Sequence, residues 1–208
     1  TDHGYIPIYA IKNSLCTKAI ASDINKDPVK KAKLNASLEG VGKEVEVRLG
    51  GGLETVKKGE VDEVIIAGMG GNLIRDILEK DINKVEKYKF LILQPAQNPE
   101  VLREYLYNND YEIILEDLCF DEGIFYELFK VRRGKKQRLH NLDEDTYEFS
   151  PVLIKKKNPL MLSYLESKEE KYRKILGFIK EDTDSAKARR KDIERKIDLI
   201  EKLKEEVR

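Results

Sequence analysis

Between residues 19 and 129 short β-branched runs alternate with amphipathic segments, and no other feature narrows the fold as much. A period of two giving way to a period near four predicts strands joined by crossover helices in a parallel sheet. Strands are expected at 19–24, 44–49, 62–67 and 89–93, with helices at 28–38, 72–79 and 99–107 between them. Asp27 before Pro28 and Asn98 before Pro99 each set a cap acceptor ahead of a first-turn proline, which marks two of the helix starts. Beyond Asn108-Asn109-Asp110, residues 111–120 and 124–131 read as two further strands joined by Asp121-Glu122-Gly123. That is hairpin chemistry, so an antiparallel pair should close the sheet.

The rest of the chain has a different period. Arg132 to His140 is polar and basic, and with Pro151 and Pro159 it makes the best linker candidate. From Leu160 onward Leu165, Tyr172, Ile175, Leu176 and Ile179, then Ile193, Ile197, Ile200, Leu203 and Val207, recur at helical spacing. Residues 180–184 break that run into two antiparallel helices with charged outer faces. Two domains are therefore expected, at 1–140 and 141–208. Charged residues make up 38% of the chain, but aliphatic runs persist throughout, so long solvated helices account for the excess better than disorder does. The 39 basic side chains are balanced by 39 acidic ones, which argues against a wholesale basic coat and leaves any polyanion to be met by local runs. No apolar stretch is long enough to span a bilayer, and no cationic, apolar leader opens the chain. Cys16 and Cys119 are far apart, with neither zinc-ligand spacing nor the density of a disulfide scaffold, so a reduced, cytoplasmic, metal-free protein is expected.

The residues that carry chemistry sit where strands should end. Thr1-Asp2-His3-Gly4-Tyr5-Ile6-Pro7 reads as a strand-to-helix turn without its strand, so native residues are expected ahead of Thr1. The missing first strand would lie in the middle of a doubly wound sheet, whose ligand crevice is at the carboxyl ends of its strands. The alternative is that Asp2 is only a helix cap. Asp23 closes the next strand about twenty residues on, where an acid can accept from both ribose hydroxyls of a nucleoside. Gly50-Gly51-Gly52 would let backbone amides approach a flat ligand, or be a plain flexible loop. Ala67-Gly68-Met69-Gly70-Gly71 sits between a strand and a helix, and Gln94-Pro95 adds an amide at the following strand end. No G-x-x-x-x-G-K-[ST] occurs, which argues against nucleoside triphosphate chemistry.

Taken together, Asp2-His3-Gly4-Tyr5-Ile6-Pro7, Ala67-Gly68-Met69-Gly70-Gly71 and Leu91-Ile92-Leu93-Gln94-Pro95 resemble the signature segments of the bacterial tRNA (adenine-22-N1)-methyltransferases. The resemblance covers nearly the whole chain. It implies a Rossmann-like S-adenosylmethionine domain followed by a C-terminal helical coiled-coil hairpin, with tRNA as the partner. By position it assigns Asp2, His3 and Gly4 to the first cofactor motif, Asp23 to the ribose, and Gly51, Gly52 and Leu53 to the adenine-side loop. Gly68 and Gly70 fall at the rim shared by cofactor and target base. Asp2 and Gln94 are the catalytic candidates, as acceptors for the exocyclic amine of the target adenine, and His3 packs or orients. Two departures stand out. The aspartate-glycine half of the first motif would precede Thr1, and Gly51 replaces the acid that the family usually carries in the adenine loop.

Among the remaining basic residues, Arg132-Arg133, Lys135-Lys136 and Arg138 form the densest run, with Lys155-Lys156-Lys157 and Arg189-Arg190-Lys191 behind it. Each could meet phosphate or be a solvated surface. The C-terminal helices are expected to extend a tRNA surface, with homodimerisation as the alternative use of such a seam. Two other readings stand against the enzyme: a non-catalytic nucleoside- or RNA-binding module, and a nicotinamide-dependent oxidoreductase, which lacks its G-x-G-x-x-G here.

Overall fold

The computed structural model describes residues 1–134 and 144–208. They form two compact units, Thr1–Val64 with Asp76–Lys89, and Ile65–Arg75 with Phe90–Arg208.

In the first unit a 3-10 turn at Asp2–Gly4 leads into α1 (Tyr5–Lys12), and α2 (Lys26–Leu38) joins two parallel strands, β1 (Ala19–Asp23) and β2 (Val45–Leu49). Ala32 and Ala36 are fully buried on α2 and pack with Ile8, Ala21, Val29, Val45 and Val47. Spaced one turn apart, these small residues give the neighbouring chain room to approach the helix closely. The helix starts at Lys26 with Asn25 as its N-cap, so Asp27 lies inside the first turn and is not the expected cap. Its charge still favours the positive end of the helix dipole.

The strand β3 (Glu63–Gly70) begins in the first unit and ends in the second, while α3 (Gly71–Lys80) begins in the second and returns to the first, followed there by α4 (Ile82–Val85). The second unit continues with β4 (Phe90–Gln97), α5 (Pro99–Asn108), β5 (Tyr111–Asp121) and β6 (Ile124–Arg133). The sheet order is β3-β4-β6-β5, and β6 runs antiparallel to both of its neighbours. Asp121 pairs with Ile124, so the hairpin turns on Glu122 and Gly123, at φ +46° and +82°. Both values suit a primed two-residue turn, whose twist matches that of the strands. Asn98 caps α5 as expected by position, but its backbone is left-handed at φ +52° and its side chain makes no capping bond.

The expected linker needs correcting at both ends. Arg132 and Arg133 belong to β6, where Arg132 pairs with Glu112 and Arg133 donates to the carbonyl of Asn109. Pro151 opens α7 (Pro151–Lys155), whose N-cap Ser150 accepts from Leu153 N–H at 3.2 Å. Residues 135–143, which include Lys135, Lys136, Arg138 and His140, lie outside the described residues.

After α6 (Glu144–Glu148) and α7 come two long helices, α8 (Met161–Phe178) and α9 (Asp184–Val207). They run antiparallel, because Glu169 pairs with Lys204 while Arg173 pairs with Glu201. Their apolar faces join a shared core made of Leu118, Phe149, Leu153, Met161, Tyr164, Leu165 and Ile200. The helices are thus rooted on β5 and α7. Beside that core Arg103 is fully buried, bonded to Glu116 and Glu127 and to the carbonyl of Tyr147. Tyr107 donates to Glu116 at 3.1 Å and Tyr164 to Glu127 at 2.7 Å, so this polar cluster ties α5, β5, β6, α6 and α8 together.

Candidate active site

The sequence-predicted residues fall into two clusters, one in each unit. In the first, α2 holds the Asp2–Gly4 turn from behind. Asn35 Nδ2 donates to the carbonyl of His3 at 2.9 Å, and a Cβ on Gly4 would stand only 3.1 Å from the Cβ of Ala32. Gly4 has φ +71°, so both its backbone and its crowding demand glycine. His3 stacks on Tyr5 with ring centroids 5.2 Å apart and planes 6° from parallel, and its Nε2 lies 3.5 Å from Asp2. The carboxylate of Asp2 is otherwise open, 71% exposed.

The end of β1 is tied to the glycine loop: Gly50 N–H donates to the carbonyl of Asp23 at 2.9 Å, and Ser22 Oγ reaches the carbonyl of Gly52 at 3.4 Å. Asp23 accepts from Asn25 N–H at 2.8 Å through one of its oxygens. A carboxylate has about four lone-pair sites, so an ionised Asp23 can still accept from two ribose hydroxyls. Lys84 fixes the far side of the loop by donating to the carbonyl of Leu53 at 2.7 Å, and Gly52, at φ +50°, packs on Ile77. Beside Gly51 a Cβ would meet only ordinary contacts with Glu54 and Ile24.

In the second cluster Gly68, at φ +74°, and Gly70 have nothing within 4 Å of where a Cβ would stand. That open space leaves bare backbone against which a ligand could lie. Gly71 is different: its Cβ would come within 2.2 Å of the carbonyl oxygen of Asn98. Gln94 joins the same place, its Oε1 accepting from Gly68 N–H at 2.9 Å and its Nε2 donating to the carbonyl of Pro95 at 3.0 Å. Among the described residues no group of histidines, cysteines and acids could hold a metal.

Sequence reading missed the supports: Asn35, Ser22, Lys84 and the Gly71–Asn98 contact. Only the Ala32/Ala36 spacing hinted that something packs closely on α2. The Tyr88, Tyr105, Tyr107 and Tyr111 group is buried, as expected of packing residues.

An acid at the end of β1 and glycines at the ends of β2 and β3 belong to an α/β fold of the Rossmann-like methyltransferase class. The family model described as tRNA (adenine(22)-N(1))-methyltransferase matches residues 1–202, and the chain belongs to that family. It is 33% identical over 211 residues to the tRNA (adenine(22)-N(1))-methyltransferase of Bacillus subtilis strain 168, covering 98% of this chain and 87% of that protein. The crystal structure of the B. subtilis m1A22 tRNA methyltransferase superposes with a TM-score of 0.84 at 33% identity, over 98% of this chain and 89% of that one. The M. capricolum member, solved with the cofactor product S-adenosylhomocysteine, gives a TM-score of 0.81 at 29% identity over 100% and 89%. The resemblance read from the sequence is borne out.

Proposed function

We propose that the chain transfers the methyl group of S-adenosylmethionine to N1 of adenine 22 in tRNA. The observation that carries this reading is that one chain holds both an acid at the end of β1 and the open Gly68 and Gly70 backbone at the end of β3, and that the family matches it over nearly its full length. Bound S-adenosylmethionine supplies an electrophilic sulfonium methyl. Asp23 takes the ribose, and Gly51, Gly52 and Leu53 form the adenine side. Asp2, His3 and Gly4 complete the cofactor turn, and Gly68 and Gly70 leave room for cofactor and base.

Neutral adenine needs no general base, since N1 already has a lone pair. That pair forms the new nitrogen–carbon bond while the carbon–sulfur pair returns to sulfur, so positive charge passes into the ring and onto its exocyclic amine. Alignment therefore matters most, an effect worth up to roughly 7–11 kcal/mol. Asp2 is the acceptor that answers the new charge, and His3, stacked on Tyr5, orients the turn. The chain acts in the cytoplasm, where tRNA and cofactor meet.

Calorimetric titration tests the cofactor assignment: S-adenosylmethionine and S-adenosylhomocysteine should bind and NAD should not. Saturable binding of NAD alone would favour an oxidoreductase. Asp23→Ala should weaken S-adenosylhomocysteine by about 1–3 kcal/mol, as for a hydrogen bond to a charged group. An unchanged Kd would take Asp23 off the ribose.

We assign residues 1–140 to the catalytic domain and 141–208 to a coiled-coil tRNA-binding domain. On α8 and α9 many cations are neutralised by acids, as in Lys168–Glu148, Arg173–Glu169 and Lys196–Glu148. Lys155, Lys156 and Lys157 at the end of α7 are exposed and have no ion pair among the described residues. Replacing all three by alanine should weaken tRNA binding and lower the salt slope by about one for each phosphate that is no longer neutralised. An unchanged slope would leave them as solvated surface. If sedimentation finds a dimer broken by changes on α9, the helices serve self-association instead.

A further inference from the structure

In the second unit the 67–71 segment meets the stretch 94–98 at two points, on either side of Gly70. At one point Gln94 accepts from Gly68 N–H at 2.9 Å. At the other, Gly71 stands so close to Asn98 that a Cβ would come within 2.2 Å of its carbonyl oxygen. Gly70 lies between the two points, and both Gly68 and Gly70 have empty space where a Cβ would stand. Gly68 needs a tether because glycine visits positive and negative φ with little preference, so its peptide plane can rotate unless something holds the N–H. Gln94 is itself held, since its Nε2 donates to Pro95, and that bond turns the amide oxygen toward Gly68.

We propose that Gln94 is a positioning residue: its amide oxygen locks the Gly68 peptide in the left-handed conformation that shapes the cofactor-facing backbone at the end of β3. This rests on the methyltransferase reading above. It differs from a direct contact between Gln94 and the target adenine, because it predicts an effect on cofactor binding with no RNA present.

Two variants separate the possibilities. Gln94→Met keeps the length and shape but has no strong acceptor, whereas Gln94→Glu keeps an acceptor oxygen for Gly68 while it loses the donation to Pro95 and gains a negative charge. Amide hydrogen exchange at Gly68, followed by NMR on the whole protein without ligand, should be at least tenfold faster in Gln94→Met than in the parent and should return toward parental in Gln94→Glu. S-adenosylhomocysteine affinity, measured without tRNA, should fall fivefold or more in Gln94→Met and recover most of that loss in Gln94→Glu. If Gln94→Met does not fold, Gln94→Asn, whose amide stops one carbon short, takes its place.

Unchanged exchange at Gly68 would overturn the proposal. So would faster exchange with parental affinity, or equal losses in both variants. A parent protein that binds neither S-adenosylmethionine nor S-adenosylhomocysteine would instead overturn the methyltransferase reading, and the Gly68 exchange data would remain a separate test of the tether.

Discussion

Replacing Arg103 by leucine should destabilise the protein by about 3–5 kcal/mol, because it leaves two buried carboxylates facing each other without their cation. Arg103 is 0% exposed, Glu116 2% and Glu127 5%. Burial lowers the tendency of Arg103 to hold its proton, but Glu127 and Glu116 outweigh that and keep it cationic. The guanidinium also lies over the Phe129 ring, 5.0 Å from its centroid. In the variant the cheapest relief is to protonate one carboxylate, which raises its folded-state pKa above the unfolded value of about 4.3. A raised folded pKa gives a contribution that is complete below the unfolded pKa and is lost as pH rises through the folded one. Urea unfolding at neutral pH should therefore show the full deficit, and repetition near pH 5 a smaller one. A loss under about 1 kcal/mol at neutral pH, with unchanged m, would mean that the cluster is not held together by its charges.

The second large effect concerns catalysis. Asp2→Ala should lower the single-turnover methylation rate about a hundredfold, the order seen when one preorganised transition-state contact is removed. The charge it answers appears only as the methyl moves, so the loss should fall on the rate more than on substrate affinity. Asp2 is largely exposed on a turn held by Asn35 and Gly4, so the fold should survive its removal. Near-parental turnover would remove Asp2 from the mechanism.

Much of the sheet was legible because strands and helices have different periods, and each of the six expected strands is present. Their ends were less so. β3 runs on to Gly70 and β4 to Gln97, three and four residues past the 67 and 93 expected, because backbone pairing ignores the glycines and proline that looked like stops. The helix starting at Pro151 was read as linker, since a proline at the first helical position resembles a breaker when the run after it is only five residues long. The proposed site residues rest on the resemblance of three short motifs and, for Asp23 and the glycine loop after β2, on their place at strand ends. What holds those residues could not be read: Asn35 to His3, and Gln94 to Gly68, are contacts 32 and 26 positions apart, with no periodicity to announce them. Arg103 was missed for a similar reason, as a single charge in an amphipathic helix reads as solvated until its partners on other strands are placed around it.

The central claim is the transfer itself. Full-length protein incubated with methyl-labelled S-adenosylmethionine and unmodified tRNA should place one methyl on N1 of adenine 22, seen by mass spectrometry of nuclease fragments, and none when that adenine is replaced by guanine. Labelling at another position, or no labelling by a protein that binds both cofactor and tRNA, would contradict the account.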